Sequence, residues 1–300
     1  MRVTILGNNS ALPAFGRHPT AQAVQVWGET ILIDCGESTQ IPMQRYGIRW
    51  RHMNHIFISH MHGDHYFGLP GLINSMSLLG RKAPLHVYAP AALLPIIEQI
   101  QSIAETILSY EFHFHPLPEG DAVLLDNEYV TVKCFPVEHR IQCHGFLVTS
   151  KTRGRKIVPE KCREYEIPRY YYDKLKQGED YERMDGTVIK NEWVTTEGPA
   201  PKTYAYCADS IFTDSYLHHI KNADTIYHES TYMEKDADKA TARYHSTAKQ
   251  AAQLAKMANA KQLLLGHYSS KYREIEPFAE EASEVFQNVL ATVEGTTYDI

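Results

Sequence analysis

The stretch "ISHMHGDHYFGLPGL", residues 58–72, decides how the rest of the chain is read. His60, His62, Asp64 and His65 fall within six residues, immediately ahead of a glycine-rich run. Three imidazoles and a carboxylate on one turn make poor design without a cation, because protonated histidines repel one another. The cluster therefore predicts a metal site. Four residues on one turn cannot close such a site, so further ligands must come from elsewhere in the chain.

The other polar candidates share one placement. His60 follows "IFIS", His139 follows "VKCFPVE", Asp209 follows "YAYCA", Glu229 follows "TIYH" and His267 follows "LLLG". Each lies just past an apolar, strand-like run, and in an α/β sheet such ends gather along one edge where sites are built. Zinc takes imidazole nitrogen and carboxylate oxygen, usually four donors per ion. His60, His62 and His139 offer three nitrogens, Asp64, His65 and His267 offer a second set, and Asp209 can bridge the two. One ion would not use all seven. Two ions about 4 Å apart form a hydrolytic device. His18, His52, His55, His86, His113, His115, His144, His218, His219 and His228 read as ordinary histidines.

The chain reads as α/β. "RVTILG", "AQAVQVWG" and "TILIDCG" are strands, with a hairpin turn at Gly28 and Glu29. A helix is expected near Ser38–Tyr46, a strand at "HIFIS", then a helix from "GLINSMSLLG", a strand at "PLHVYAP" and a helix through "AALLPIIEQIQSIAETIL". Two or three strands are expected between Glu111 and Val137, and another at "HGFLVTS". In the second half "KTYAYCAD", "ADTIYHES" and "KQLLLGH" are strands, while "STAKQAAQLAKMA" and "PFAEEASEVFQNVLATV" show helical spacing, the first capped by Ser246 or Thr247. Hairpins followed by strand–helix alternation predict a mixed sheet covered by helices.

Composition narrows the class. The chain is 300 residues long with a 43% hydrophobic content, enough for a large core in one domain over residues 1–300. No apolar run approaches the roughly 20 residues that span a membrane. "MRVTILGNNS" enters a strand with no signal-peptide pattern, and five cysteines form no CxxC pair, so a cytoplasmic protein with reduced thiols is expected. A formal net charge of −6 excludes a globally basic nucleic-acid binder but not a local basic patch. Residues 151–202 break the apolar periodicity and read as an inserted arm, too polar to bury a core alone. Its first part, Lys151–Lys176, holds nine basic residues against four acidic ones and a tyrosine triplet at 170–172.

"SHMHGDH" is the HxHxDH signature of the metallo-β-lactamase fold. With "GDHYFGLPGL", "IDCGESTQ", "YHESTY", "HSTAKQAAQLAK" and "LLLGHYSSKY", the chain resembles ribonuclease Z, the tRNA 3′-processing endonuclease family, along nearly its whole length. The resemblance implies an αββα sandwich of two mixed sheets with outer helices. It implies two zinc ions per subunit, with manganese or cobalt as substitutes, a homodimer, and precursor tRNA as partner with no membrane. By motif, His60, His62 and His139 resemble the ligands of one zinc, Asp64, His65 and His267 those of the other, and Asp209 the bridge. Asp64 is also the implied general base, and His245, held by Glu229, would face the scissile phosphate. The arm, 151–202, would dock tRNA, with Arg169, Tyr171, Lys174 and Lys176 as candidate contacts. Its "IPRYYYDKLKQGED" has tyrosines where many bacterial members have a Gly-Pro tip, the early loop reads "PAFGRHPT", and the usual "SGDT" reads "CADS".

The expected chemistry is removal of the 3′ trailer by metal-activated hydroxide, leaving a 3′-OH on the tRNA and a 5′-phosphate on the trailer. The rival is a small-molecule phosphodiesterase or other metal-dependent hydrolase of the same fold, which would need no basic arm.

Overall fold

The computed structural model describes all 300 residues. Its first strands are β1 (Arg2–Gly7), β2 (Ala21–Val26), β3 (Glu29–Ile33), β4 (Met53–Phe57), β5 (Leu85–Ala89) and β6 (Phe112–Pro116). Then come β7 (Ala122–Asp126), β8 (Val130–Val137) and β9 (Cys143–Ser150). Four two-residue strands follow: β10 (Lys156–Ile157), β11 (Tyr181–Glu182), β12 (Val188–Ile189) and β13 (Thr195–Thr196). The chain closes with β14 (Thr203–Tyr206), β15 (Thr225–Glu229), β16 (Gln262–Gly266), β17 (Val289–Ala291) and β18 (Thr297–Asp299). These form two units, one of Met1–Ser150 with Lys202–Ile300, the other of Lys151–Pro201.

The larger unit holds two seven-stranded mixed sheets, in the orders β18-β1-β2-β3-β4-β5-β6 and β17-β16-β15-β14-β9-β8-β7. Period-two alternation sorts the side chains of the first sheet between two faces. Val24, Val26, Ile31, Ile33 and Phe57 join one core with Val132, Phe146, Tyr204, Ile226 and Leu264 of the second sheet. Ala21, Ala23, Leu32 and Ile56 face the other way, onto Leu69, Leu72, Ile73 and Met76 of the helix Leu69–Leu78 and Leu93 and Ile97 of the helix Leu93–Ile103. This is the expected sandwich with outer helices. No helix is long and apolar enough to cross a membrane, and all five cysteines are free and buried.

Three expectations shift. The first hairpin turns at Trp27 and Gly28, not Gly28 and Glu29: both have positive φ, 52° and 96°, as a two-residue type I′ turn requires. The helix expected through "PFAEEASEVFQNVLATV" stops at Ser283, and Val289–Ala291 instead pairs in parallel with β16. The edge beside β16 is open to this span, and there tertiary pairing overrides helical spacing. β18 was not anticipated; it pairs antiparallel with β1 at the edge of the first sheet.

The smaller unit, expected to be too polar for a core, buries Cys162, Ile167, Leu175, Ile189 and Val194 together. Its helices run only four to six residues, Pro159–Glu164, Tyr172–Lys176 and Asn191–Val194, so no periodicity shows in the sequence. Asn191 ties them by donating to the Leu175 and Glu179 carbonyls at 2.8 Å each. Tyr171, read as a candidate tRNA contact, serves this structure: its hydroxyl donates to the Asp180 carbonyl at 2.7 Å and its ring meets Tyr181 edge-on. Lys174 and Lys176 are exposed but paired with Glu179 and Asp173 at 3.8 and 2.8 Å. Arg169 carries no ion pair, and the neighbouring Tyr170 is 81% exposed.

The helix Ala248–Met257 starts at the expected cap. Thr247 accepts from the Gln250 backbone while the Gln250 side chain accepts from the Thr247 backbone, a complete capping box. Thr247→Ala should lower the urea-unfolding free energy by about 1 kcal/mol, with Thr247→Ser restoring most of it.

Candidate metal centre

Strand ends of both sheets deliver the site. β4 leads into His60, β8 into His139, β14 into Asp209 and β16 into His267, while Glu229 ends β15. His62 precedes a single helical turn, Gly63–Tyr66, that carries Asp64 and His65. Asp34, Ala208 and His267, all non-glycine residues just past strands, adopt positive φ of 57°, 47° and 60°. Such backbone strain persists only where surrounding structure holds it, and at these three positions it lies in the turns that aim the cluster.

All seven expected ligands meet. The donor atoms of His60, His62, His139 and Asp209 lie within 4.8 Å of one another, as do those of Asp64, His65 and His267. Asp209 sits between the sets. Its Oδ2 is 3.7 Å from His60 Nε2 and 4.0 Å from His139 Nε2, and its Oδ1 is 3.5 Å from His65 Nε2 and 3.2 Å from His267 Nε2.

Hydrogen bonds outside the cluster fix which nitrogen faces in. His65 Nδ1 donates to Asp34 at 2.8 Å, His139 Nδ1 to the Tyr244 carbonyl at 2.8 Å, His60 Nδ1 to the Ser59 hydroxyl at 3.0 Å and His267 Nδ1 to the Thr231 hydroxyl at 2.9 Å. Each ring then turns its Nε2 inward, the nitrogen that a metal would take in place of a proton. His62 is reversed: its Nδ1 lies 3.0 Å from His60 Nε2 and 3.1 Å from His139 Nε2. Lone pairs so close repel unless something positive lies among them.

Electrostatics make the same demand. Burial keeps His60, His62 and His139 below the ordinary imidazole range, hence neutral and able to ligate. Burial would lower His65 too, but Asp209, Asp64 and Asp34 outweigh it and hold that ring well above its usual value. Asp209 is pushed up by burial and pulled further down by His267 and His65, ending well below the carboxylate range. Asp209 Oδ1 is buried and accepts no hydrogen bond. An orphaned carboxylate oxygen among inward-facing nitrogens fits a bound cation, so these seven residues could hold metal.

His245 and Glu229 form a separate pair. Glu229 is fully buried, and its oxygens accept from His245 Nδ1 at 2.8 Å, the Ser246 and Ser210 backbones at 3.0 and 3.3 Å, and Thr231 at 2.8 Å. A carboxylate so fully engaged orients its histidine instead of ligating. Burial alone would lower His245, but Glu229, with Asp209 and Asp64, outweighs it and raises it to about 9. His228, beside Glu229, is structural, with Tyr216 and the Glu229 carbonyl as partners.

The candidate ligands all met, but their supports went unnoticed. Asp34 is the chief of them: fully buried, it also accepts from the Ser59 backbone at 2.7 Å and hydroxyl at 2.9 Å and from the Tyr206 hydroxyl at 2.5 Å. It follows "TILI" just as the ligands follow their strands, so the same signal pointed to it.

Known proteins match over this whole framework. Ribonuclease Z of Parabacteroides distasonis is 38% identical over 98% of this chain and 97% of its own, and that of Cytophaga hutchinsonii 41% identical over 98% and 94%. The chain belongs to the ribonuclease Z family. Among solved structures, human tRNase Z, short form, covers 100% of this chain and 99% of its own with a TM-score of 0.73 and 26% identity. The metallo-β-lactamase fold protein YhfI from Bacillus subtilis covers 99% and 98% with a TM-score of 0.70 at 20% identity, a likeness of fold. A family model described as Anti-Pycsar protein Apyc1 also matches, over residues 1–154, which places that half of the chain in its family as well.

If Asp34 positions His65, Asp34→Ala should weaken zinc binding by about 10–100-fold, read by competition with a chelator of known affinity. Unchanged affinity in a folded variant would leave Asp34 a packing role only.

Proposed function

We propose that the protein removes the 3′ trailer from precursor tRNA as a two-zinc endoribonuclease. The observation that carries this is Asp209, whose two oxygens face two histidine sets in a chain that matches ribonucleases Z nearly end to end. His60, His62 and His139 would hold one ion, Asp64, His65 and His267 the other, and Asp209 both. Such a pair, when bound, supplies positive charge that acidifies water and neutralises the phosphodiester.

The chain's own groups do the rest. Asp64 is anchored by the Ala11 backbone, which donates to its Oδ2 at 2.7 Å, and it takes the proton of the attacking water. Burial would raise its pKa, but His65 and His267 hold it below the carboxylate range, so it is ionised and ready. Water attacks phosphorus and the P–O3′ bond breaks. The phosphate stays with the trailer, and O3′ takes a proton from His245, which Glu229 keeps charged near neutral pH. The insert, residues 151–202, is read as the arm that docks tRNA, with Arg169 and the exposed Tyr170 as its accessible contacts. A homodimer and a cytoplasmic setting complete the reading.

A second reading is hydrolysis of small phosphodiesters by the same cluster, which would need no basic insert. The Apyc1 match does not decide between them, since it ends before Asp209, Glu229, His245 and His267.

Zinc-loaded protein should cut a 3′-extended precursor tRNA once, leaving a 3′-OH, and Asp64→Ala should not. Activity on small diesters alone would establish the second reading. His245→Ala should slow cleavage by roughly 10²–10⁴-fold with zinc content unchanged; loss of zinc would mean that His245 ligates. Deleting Lys156–Val194 should weaken precursor binding while sparing a small aryl phosphodiester, and equal loss of both would refute a docking role.

A further inference from the structure

The metal cluster opens into a cleft of about 460 Å³ lined by Ser10, Phe67, Arg140 and Arg243 as well as by the candidate ligands. Both arginines are exposed and neither carries an ion pair. Arg140 Nη2 rests 3.2 Å from His62 Nε2, and Arg243 Nη1 donates to the Tyr232 hydroxyl at 3.1 Å. That they share one cleft is built in: Arg140 follows His139 and Arg243 precedes Tyr244, and His139 Nδ1 donates to the Tyr244 carbonyl at 2.8 Å, tying the two loops. The neighbouring acid, Glu138, is occupied by the Thr213 hydroxyl at 2.9 Å. Two guanidiniums without an ion pair, lining one cleft, leave donors free for an anion that enters it.

We propose that Arg140 and Arg243 clamp the backbone phosphates on either side of the scissile phosphodiester, holding an RNA strand across the mouth of the site. This rests on the ribonuclease reading above and adds the residues that position the strand. The scissile phosphate itself lies with the cluster and His245. A guanidinium presents two parallel donors to a phosphate and remains charged at any working pH. A strand held at two flanking points cannot slide, which sets the cut at one bond. A mononucleotide has no flanking phosphates and would gain nothing from the clamp.

The test uses zinc-loaded protein and a 3′-extended precursor tRNA whose scissile 3′ oxygen is replaced by methylene, so that binding is read without cleavage. Arg140→Ala and Arg243→Ala should each weaken binding about tenfold at low salt. Each should also reduce the slope of log affinity against log salt by about 0.7, and the double variant by about 1.4. Arg140→Lys should keep the slope while losing part of the affinity, because charge survives and the fork does not. Zinc content and melting temperature report on folding, and a merely structural role would not move the salt slope. An unchanged slope in the folded double variant overturns the clamp, even with cleavage of precursor by the wild type intact. A KM for a cyclic mononucleotide that rises by the same factor as that for precursor also overturns it, by placing the arginines on the reacting phosphate. Failure of the wild type to cut precursor at all would remove the functional reading first and the clamp with it.

Discussion

Asp209 stands between two groups of histidine nitrogens in the buried space between the sheet ends, and most of the local structure follows from satisfying it. Burying a carboxylate is costly unless positive charge compensates it, and here the compensation must come from the rings and from whatever they hold. The rings in turn can serve only if each shows an unprotonated nitrogen to the interior. That requirement explains the outer partners: Asp34, Ser59, Thr231 and the Tyr244 carbonyl each accept the Nδ1–H of one imidazole. It also explains the strained backbone at Asp34, Ala208 and His267, where the chain leaves its strand and must aim a side chain at once.

The sandwich provides what the cluster needs. The first sheet brings His60 and the turn behind it, while the second brings His139, Asp209, Glu229 and His267. Tight packing between the sheets, with Phe57, Phe146, Tyr204 and Tyr206 in one core, fixes the distance between the two contributions. Tyr206 shows the coupling directly: it belongs to the second sheet, yet its hydroxyl donates to Asp34 of the first and so helps to set His65. A change of one side chain's volume between the sheets would thus reach the site through position, without touching any ligand.

Charge is divided by task. The cluster is acidic enough to call for cations, whereas its mouth carries two arginines free of carboxylate partners. The small unit concentrates basic residues in its first half but neutralises several of them with local acids, among them Lys174 and Lys176. A net charge of −6 therefore says little about the partner, because the surfaces that would meet a phosphate backbone are local.

The sequence by itself determined the fold class, most of the strands and all seven candidate ligands. Ligand chemistry is carried by residue type, and the strand-end placement of His60, His139, Asp209 and His267 repeats a pattern that needs no tertiary information. Asp34 follows the same pattern, but a lone aspartate after a strand has no neighbouring ligand to mark it. The remaining features depend on contacts between distant segments. The span Val289–Ala291 is a strand because an edge beside β16 was open to it, although its spacing suits a helix. The small unit has a core because five apolar residues from elements too short to show a period converge on one point. Tyr171 is a structural tyrosine because the Asp180 carbonyl lies within reach, and Arg140 shares a cleft with Arg243, where one hydrogen bond, across 105 residues, ties their loops. Local chemistry is written along the chain; which atoms end up facing each other depends on the packing of the two sheets.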